Sequence, residues 1–182
     1  MRCGERAALQ DLGTSLRRHH LIGVLFRMPD NASKSAEAAS GRETPPSGLD
    51  QLKALIGAGQ EAPIAQTLNF RLVAIEAGFA VFEGTPLAHV YNPAGTAHGG
   101  YAAAILDSAC ACAVQSKLDL GQPYTTLELK IAYHRAITEA DGPVRAEGRI
   151  MTIGRRTAFV EAKLTDKNGR LCASATSTLM IL

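Results

Sequence analysis

Polar and apolar positions alternate along four stretches in the C-terminal half of the chain. Between residues 157 and 165, Ala158, Val160, Ala162 and Leu164 share one face, while Thr157, Glu161, Lys163 and Thr165 share the other. A period of two predicts a half-buried strand. The same reading predicts strands over 125–134, 144–153 and 171–181, with Asp141-Gly142 and Asn168-Gly169 as tight-turn dipeptides between neighbours. Upstream, 67–76 and 79–86 flank Ala77-Gly78 and predict a hairpin. Leu49, Leu52, Leu55 and Ile56 instead recur at helical spacing, and Gly57 and Gly59 end that short helix. Because Gly57-x-Gly59 follows a helix rather than a strand, it does not make a dinucleotide loop.

Residues 92–100, Asn-Pro-Ala-Gly-Thr-Ala-His-Gly-Gly, predict a loop opening into a helix over 101–117. That helix is built almost wholly of small apolar residues, with Ile105, Leu106 and Val114 its larger aliphatics. Ser108 and Gln115, seven apart, mark one narrow polar stripe, so the helix is expected to be buried nearly all round. Consecutive strands joined by tight turns, interrupted early by one long helix, define an α+β domain. The natural geometry is a strongly curved antiparallel sheet wrapped around the helix.

Composition narrows the picture. The chain has 182 residues, within the range of about 100–200 for one domain. It carries 19 Lys and Arg against 17 Asp and Glu, and residues 1–44 hold 7 basic and 5 acidic side chains. The formal +2 therefore sits in the N-terminal quarter, which argues against a broad nucleic-acid-binding surface. No apolar run approaches the roughly 18 residues of a membrane span. Arg17-Arg18 precede a short apolar run, Leu21 to Phe26, too brief for a secretory signal. Ser, Ala, Glu, Pro and Gly dominate from Pro29 to Gly48. Residues 1–48 thus read as a disordered extension and linker, and 49–182 as the folded domain. His19-His20 read as part of a solvated tail rather than a metal site. Cys3, Cys110, Cys112 and Cys172 form no disulfide framework and lack zinc-ligand spacing, so no metal or other cofactor is expected. Reduced core cysteines suit the cytoplasm.

The residues able to do chemistry cluster around the long helix. Asp107 has Ala103, Ala104, Cys110 and Ala111 at helical neighbour positions, and a carboxylate on an apolar face is costly unless hydrogen-bonded. It is either a structural Asp tied to a loop or a base. His98-Gly99-Gly100 falls where the first free N–H groups of the helix must lie, and such donors with the helix dipole can polarise a carbonyl. Without a Cβ, a substrate can approach that backbone closely. Asn92 can add an amide donor. Singly, each residue has a plainer reading as a turn, cap or packing residue; the ordered set is much less common by chance.

Asn92, then His98-Gly99-Gly100, then Asp107 eight residues after the first glycine, resembles the pattern of the hotdog-fold acyl-CoA thioesterases of the phenylacetic-acid-degradation (PaaI-type) group, close to the 4-hydroxybenzoyl-CoA thioesterases. Similarity continues in Thr125-Thr126-Leu127-Glu128-Leu129 and Gly154-Arg155-Arg156-Thr157, over about residues 65–180. The resemblance implies a homodimer, often paired into tetramers, with sites shared between subunits. It implies that the Gly99 N–H, helped by Asn92, binds the thioester carbonyl, and that Asp107 of the other chain activates water or attacks. Thr126 would orient Asp107 or the water, and His98 would assist thiolate departure or shape the loop. Coenzyme A phosphates want cations: Arg155, Arg156 and Thr157 on one turn and His134-Arg135 at a strand end are the candidates, with Gly100 a further substrate-binding residue.

The implied reaction is hydrolysis of aryl-acetyl, aromatic or medium-chain acyl-CoA. A thiolate is a good leaving group, so a polarised carbonyl and one carboxylate suffice. No Gly-x-Ser-x-Gly nucleophile motif occurs in the chain. The alternatives are a hotdog acyl-thioester hydratase or dehydratase, using His98 with Asp107, and a non-catalytic acyl-CoA-binding module. Acyl-CoA and a second copy are the expected partners; nucleic acid and membrane are not.

Overall fold

The computed structural model describes residues 46–182. Cys3, His19-His20 and all but the last three residues of the expected extension 1–48 lie outside the described residues. Helix α1 spans Gly48–Ala58, α2 Pro63–Thr67 and α3 Gly99–Gln115. The strands are β1 Phe70–Glu76, β2 Phe79–Gly84, β3 Tyr124–Tyr133, β4 Val144–Ile153, β5 Thr157–Thr165 and β6 Leu171–Ile181. They form one antiparallel sheet in the order β1-β2-β4-β5-β6-β3. After β2 the chain runs through α3, beneath the sheet, and returns as β3 at the far edge. Among the described residues no helix is long and apolar enough to cross a membrane.

Three sequence expectations change. Thr67 belongs not to a strand but to α2, which starts on Pro63, where a missing N–H costs nothing. Asn69 then takes a left-handed φ of 55° and clamps the end of β2, its Nδ2 donating to the Thr85 carbonyl at 3.0 Å. The long helix begins two residues early, so Gly99 and Gly100 are its first two helical residues rather than part of the loop.

The third change concerns burial. Tyr101, Ala102, Ile105, Leu106, Ala109, Cys110, Ala113 and Val114 are buried against the sheet. The opposite side, Ala103, Ala104, Asp107, Ser108, Ala111, Cys112 and Gln115, is only half-buried. One sheet curves round one side of a helix, so a single chain covers half of it.

Small residues on the covered side let the backbones meet. A Cβ on Gly148 of β4 would run into the Ala109 carbonyl. Tyr101 fixes the start of α3: it is 2% exposed, packs edge-on to Phe70 at 6.4 Å, and rests on Gly84. Its hydroxyl has no hydrogen-bond partner among the described residues. At the other end, the Ser116 hydroxyl donates to the Ala113 carbonyl and accepts from the Gly78 N–H, tying α3 to the β1–β2 turn.

Strand β3 carries a bulge at Leu127, between Thr126 and Glu128 in its register with β6. Side chains alternate along a strand, so positions 126 and 133, seven apart, would ordinarily face opposite sides. The extra residue switches the parity. Thr126 pairs with buried Leu179, and Leu129, Ile131 and Tyr133 pair with buried Ser177, Ala175 and Ala173. Thr126 and Tyr133 thus both face α3. The Ser177 hydroxyl donates to the Glu128 carbonyl at 2.8 Å, which helps satisfy the backbone beside the bulge.

Candidate active site

The first turn of α3 can be accounted for donor by donor. The first N–H groups of any helix lack partners within it. The His98 N–H donates to the Val90 carbonyl at 2.8 Å, and the Tyr101 N–H to the His98 carbonyl at 2.9 Å. The Gly100 N–H donates to Nδ1 of His98, the N-cap, at 2.9 Å. Gly99 alone is left with no protein acceptor among the described residues. Its N–H is an open donor at the positive end of a helix with no acidic residue in its first turn.

The two glycines have separate causes. A Cβ on Gly100 would lie 3.0 Å from His98 Nδ1, and one on Gly99 would lie 3.1 Å from the Tyr133 hydroxyl oxygen. Protein side chains thus crowd both Cβ positions. The Tyr133 hydroxyl donates to the Gly99 carbonyl at 3.0 Å.

Around this turn lies a cleft of about 330 Å³ that includes His98, Gly99, Tyr133, His134, Arg135 and Ile137. Two imidazoles, one guanidinium and a helix N-terminus line its mouth. His134 Nε2 is 2.8 Å from the Ser174 hydroxyl. Tyr133 is absent from the sequence-based set of site residues. Its adjacency to His134-Arg135 is a signal, but simple alternation from Thr126 points it the wrong way.

Asn92 is engaged in its own loop. Its Oδ1 accepts from the N–H groups of Ala94 at 3.0 Å and Thr96 at 3.3 Å, and its Nδ2 donates to the Thr96 hydroxyl at 3.0 Å. This Asx turn holds the segment that feeds His98 into the helix.

Asp107 sits further along α3, on the half-buried side. The Thr126 hydroxyl donates to its Oδ1 at 3.0 Å, and it makes no ion pair among the described residues. Burial, and then the Asp107 charge, push the Cys110 thiol up to about 12. Burial also pushes Cys112 to about 12 and raises Tyr124, where Cys112 and Asp107 add to the effect. These neighbours are uncharged at neutral pH.

The structure brings His98, Gly99, Gly100, His134 and Arg135 together, and pairs Asp107 with Thr126. It does not join the two groups within one chain. Gly99 and Asp107 are eight residues apart on one helix, about 12 Å at 1.5 Å per residue. Arg155 and Arg156 are exposed in the β4–β5 turn, and Thr157 pairs with Met180, which pairs with Thr125. They belong to the Thr126 end of the sheet, away from Tyr133. A second cleft, of about 390 Å³, includes Glu83, Arg145 and Lys167. Its cations are already engaged, Arg145 by Glu83 and Glu147 and Lys167 by the Ala140 carbonyl.

One curved sheet packs on one side of a small-residue helix, and comparison with known proteins says which class has this fold. Residues 94–173 match the Thioesterase superfamily. The chain is 29% identical over 121 residues to the proofreading thioesterase EntH of Klebsiella pneumoniae, covering 66% of this chain and 87% of that one. It is 26% identical over 118 residues to the 1,4-dihydroxy-2-naphthoyl-CoA hydrolase of Listeria monocytogenes, covering 65% and 94%. Among solved structures, a mutant of the phenylacetic acid degradation protein PaaI from Thermus thermophilus aligns with a TM-score of 0.60 at 30% identity, covering 66% of this chain and all of that one. The chain therefore belongs to the thioesterase superfamily, as a thioester hydrolase on the hotdog fold.

Proposed function

We propose that this enzyme hydrolyses acyl-CoA thioesters, with aryl-acetyl, aromatic or medium-chain acyl groups, to the free acid and coenzyme A. The observation that carries the reading is the Gly99 N–H, the one first-turn donor without an acceptor among the described residues, at the mouth of a cleft that holds Arg135. It receives the thioester carbonyl oxygen and stabilises the charge that develops there. Asn92 holds the loop and offers its remaining N–H. With Nδ1 accepting from Gly100, neutral His98 carries its proton on Nε2 and keeps the turn in shape.

Asp107 supplies the carboxylate, as general base on water or as nucleophile, and Thr126 fixes its rotamer. A base must come within about 3 Å of its target, directly or through one water. The separation of about 12 Å along one helix therefore favours Gly99 from one copy and Asp107 from another. Strand β3 supports this arrangement: among the described residues it pairs only with β6 and leaves its outer edge free. An antiparallel second copy across that edge brings the Thr126 end of one chain to the Tyr133 end of the other, and covers the half-buried side of α3. Arg155, Arg156 and Thr157 of one copy then join His134 and Arg135 of the other as holders of the coenzyme A phosphates.

The aromatic acyl class is supported by the Listeria relative, named for a naphthoyl-CoA ester. Cys110, Cys112 and Cys172 are free thiols, which suits the cytoplasm. Residues 49–182 form the catalytic domain in this reading, with 1–48 as an extension outside it. The test is a panel of aryl and aliphatic CoA esters assayed with the parent enzyme and Asp107→Asn. The parent releases thiol and the variant does not; parental rates in Asp107→Asn would sink the assignment.

A further inference from the structure

We infer that Tyr133 is a positioning residue for the carbonyl-binding amide, a role that rests on the proposed thioesterase site. The Gly99–Gly100 peptide group is held at both ends by side chains. Its carbonyl accepts from the Tyr133 hydroxyl at 3.0 Å, and its N–H donates to His98 Nδ1 at 2.9 Å. The preceding peptide is held at one end only, the His98 carbonyl accepting from the Tyr101 N–H. What remains is the Gly99 N–H itself. Beyond the bonds of the helix itself, three hydrogen bonds hold these two consecutive peptide planes, and the free donor is aimed by elimination.

Glycine at a helix start is otherwise permissive, and two in succession make the turn loose. A donor that wanders loses its advantage, because preorganisation is what makes a fixed dipole worth more than water. Tyr133 compensates for the missing side chains: its ring lies in tight contact with the position a Cβ of Gly99 would take, with Cζ 3.2 Å from it. The arrangement explains why a tyrosine 57% exposed in one chain is placed here, and why the β3 bulge that turns it inward is present.

Substitution Tyr133→Phe keeps the ring and removes the bond to Gly99. The expected result is a loss of about tenfold in kcat with KM unchanged, below the cost of deleting such a donor outright. A fall in folded enzyme would also lower kcat, so a second readout is needed. With the carbonyl less polarised, the rate leans more on the acyl group's own substituents. The kcat ratio of an electron-poor to an electron-rich aroyl-CoA should therefore rise in Tyr133→Phe and rise further in Tyr133→Leu. A loss of folded enzyme scales both rates equally. Parental kcat, or a reduced kcat with an unchanged ratio, overturns the inference and leaves the thioesterase reading standing. A parent enzyme that hydrolyses no ester of the panel overturns both.

Discussion

Thr126 on β3 donates its hydroxyl to one oxygen of Asp107 on α3, at 3.0 Å, and the other oxygen has no protein donor among the described residues. A carboxylate held by one oxygen presents the other in a fixed direction. Replacing Thr126 with Val, of nearly the same shape, should lower kcat by about ten- to a hundredfold, the cost of a misplaced reacting group. Thr126→Ser should recover most of it. Steady-state kinetics on one good CoA ester would check both, and parental turnover in Thr126→Val would count against any role for the bond.

Gly99 allows the donor to be removed while the helix is kept. It is the first helical residue, where proline is favoured, and His98 has the extended backbone, ψ 142°, that must precede a proline. Gly99→Pro deletes the N–H and should reduce kcat by about a hundredfold or more. Gly99→Ala keeps the N–H and only crowds Tyr133, so its loss should be about tenfold. Circular dichroism should show similar helix content in both.

A site shared between copies predicts complementation. Gly99→Pro and Asp107→Asn are each inactive alone. Refolded together in equal amounts, half of the dimers are mixed, and each mixed dimer has one intact site. Activity should recover to about a quarter of the parent. No recovery would place Gly99 and Asp107 in one chain's site.

The thiols of Cys110 and Cys112 are pushed by burial to about 12, and burial also raises Cys172. A thiol reacts as its thiolate, and a raised pKa keeps that form scarce until well above pH 8. Iodoacetamide at pH 8 should leave all three unmodified in the folded enzyme and modify them in urea, as read by peptide mass spectrometry.

Gly148 meets the Ala109 carbonyl through a gap with no room for a methyl group. Gly148→Ala should destabilise the protein by about 1–3 kcal/mol through overpacking, seen as a lower midpoint in urea melts.

Much of this was legible in residue order. The alternation in β4, β5 and β6 marked those strands to the residue, because each has one face buried by α3 and one in solvent. The His98-Gly99-Gly100 and Asp107 spacing pointed to the start of α3 and to its half-buried side. Five-residue α2 was not legible, since a helix that short has no periodicity to read. Nor was the open side of α3: Ala103 and Ala102 are the same residue, and only the direction of sheet curvature separates half-buried from buried. Tyr133 was missed because the bulge at Leu127 breaks the alternation that would otherwise predict its face.

That bulge also decides which genetic changes the protein can absorb. Leu127 is exposed, and as a side chain it is replaceable. As a unit of length it is spare as well: with it removed, Thr126 would still pair with Leu179, Glu128 with Thr178 and Tyr133 with Ala173, and the ladder would run without a break. Position 127 should therefore tolerate nearly any substitution and its own deletion, whereas one residue removed between Glu128 and Tyr133 should turn Tyr133 away from the helix.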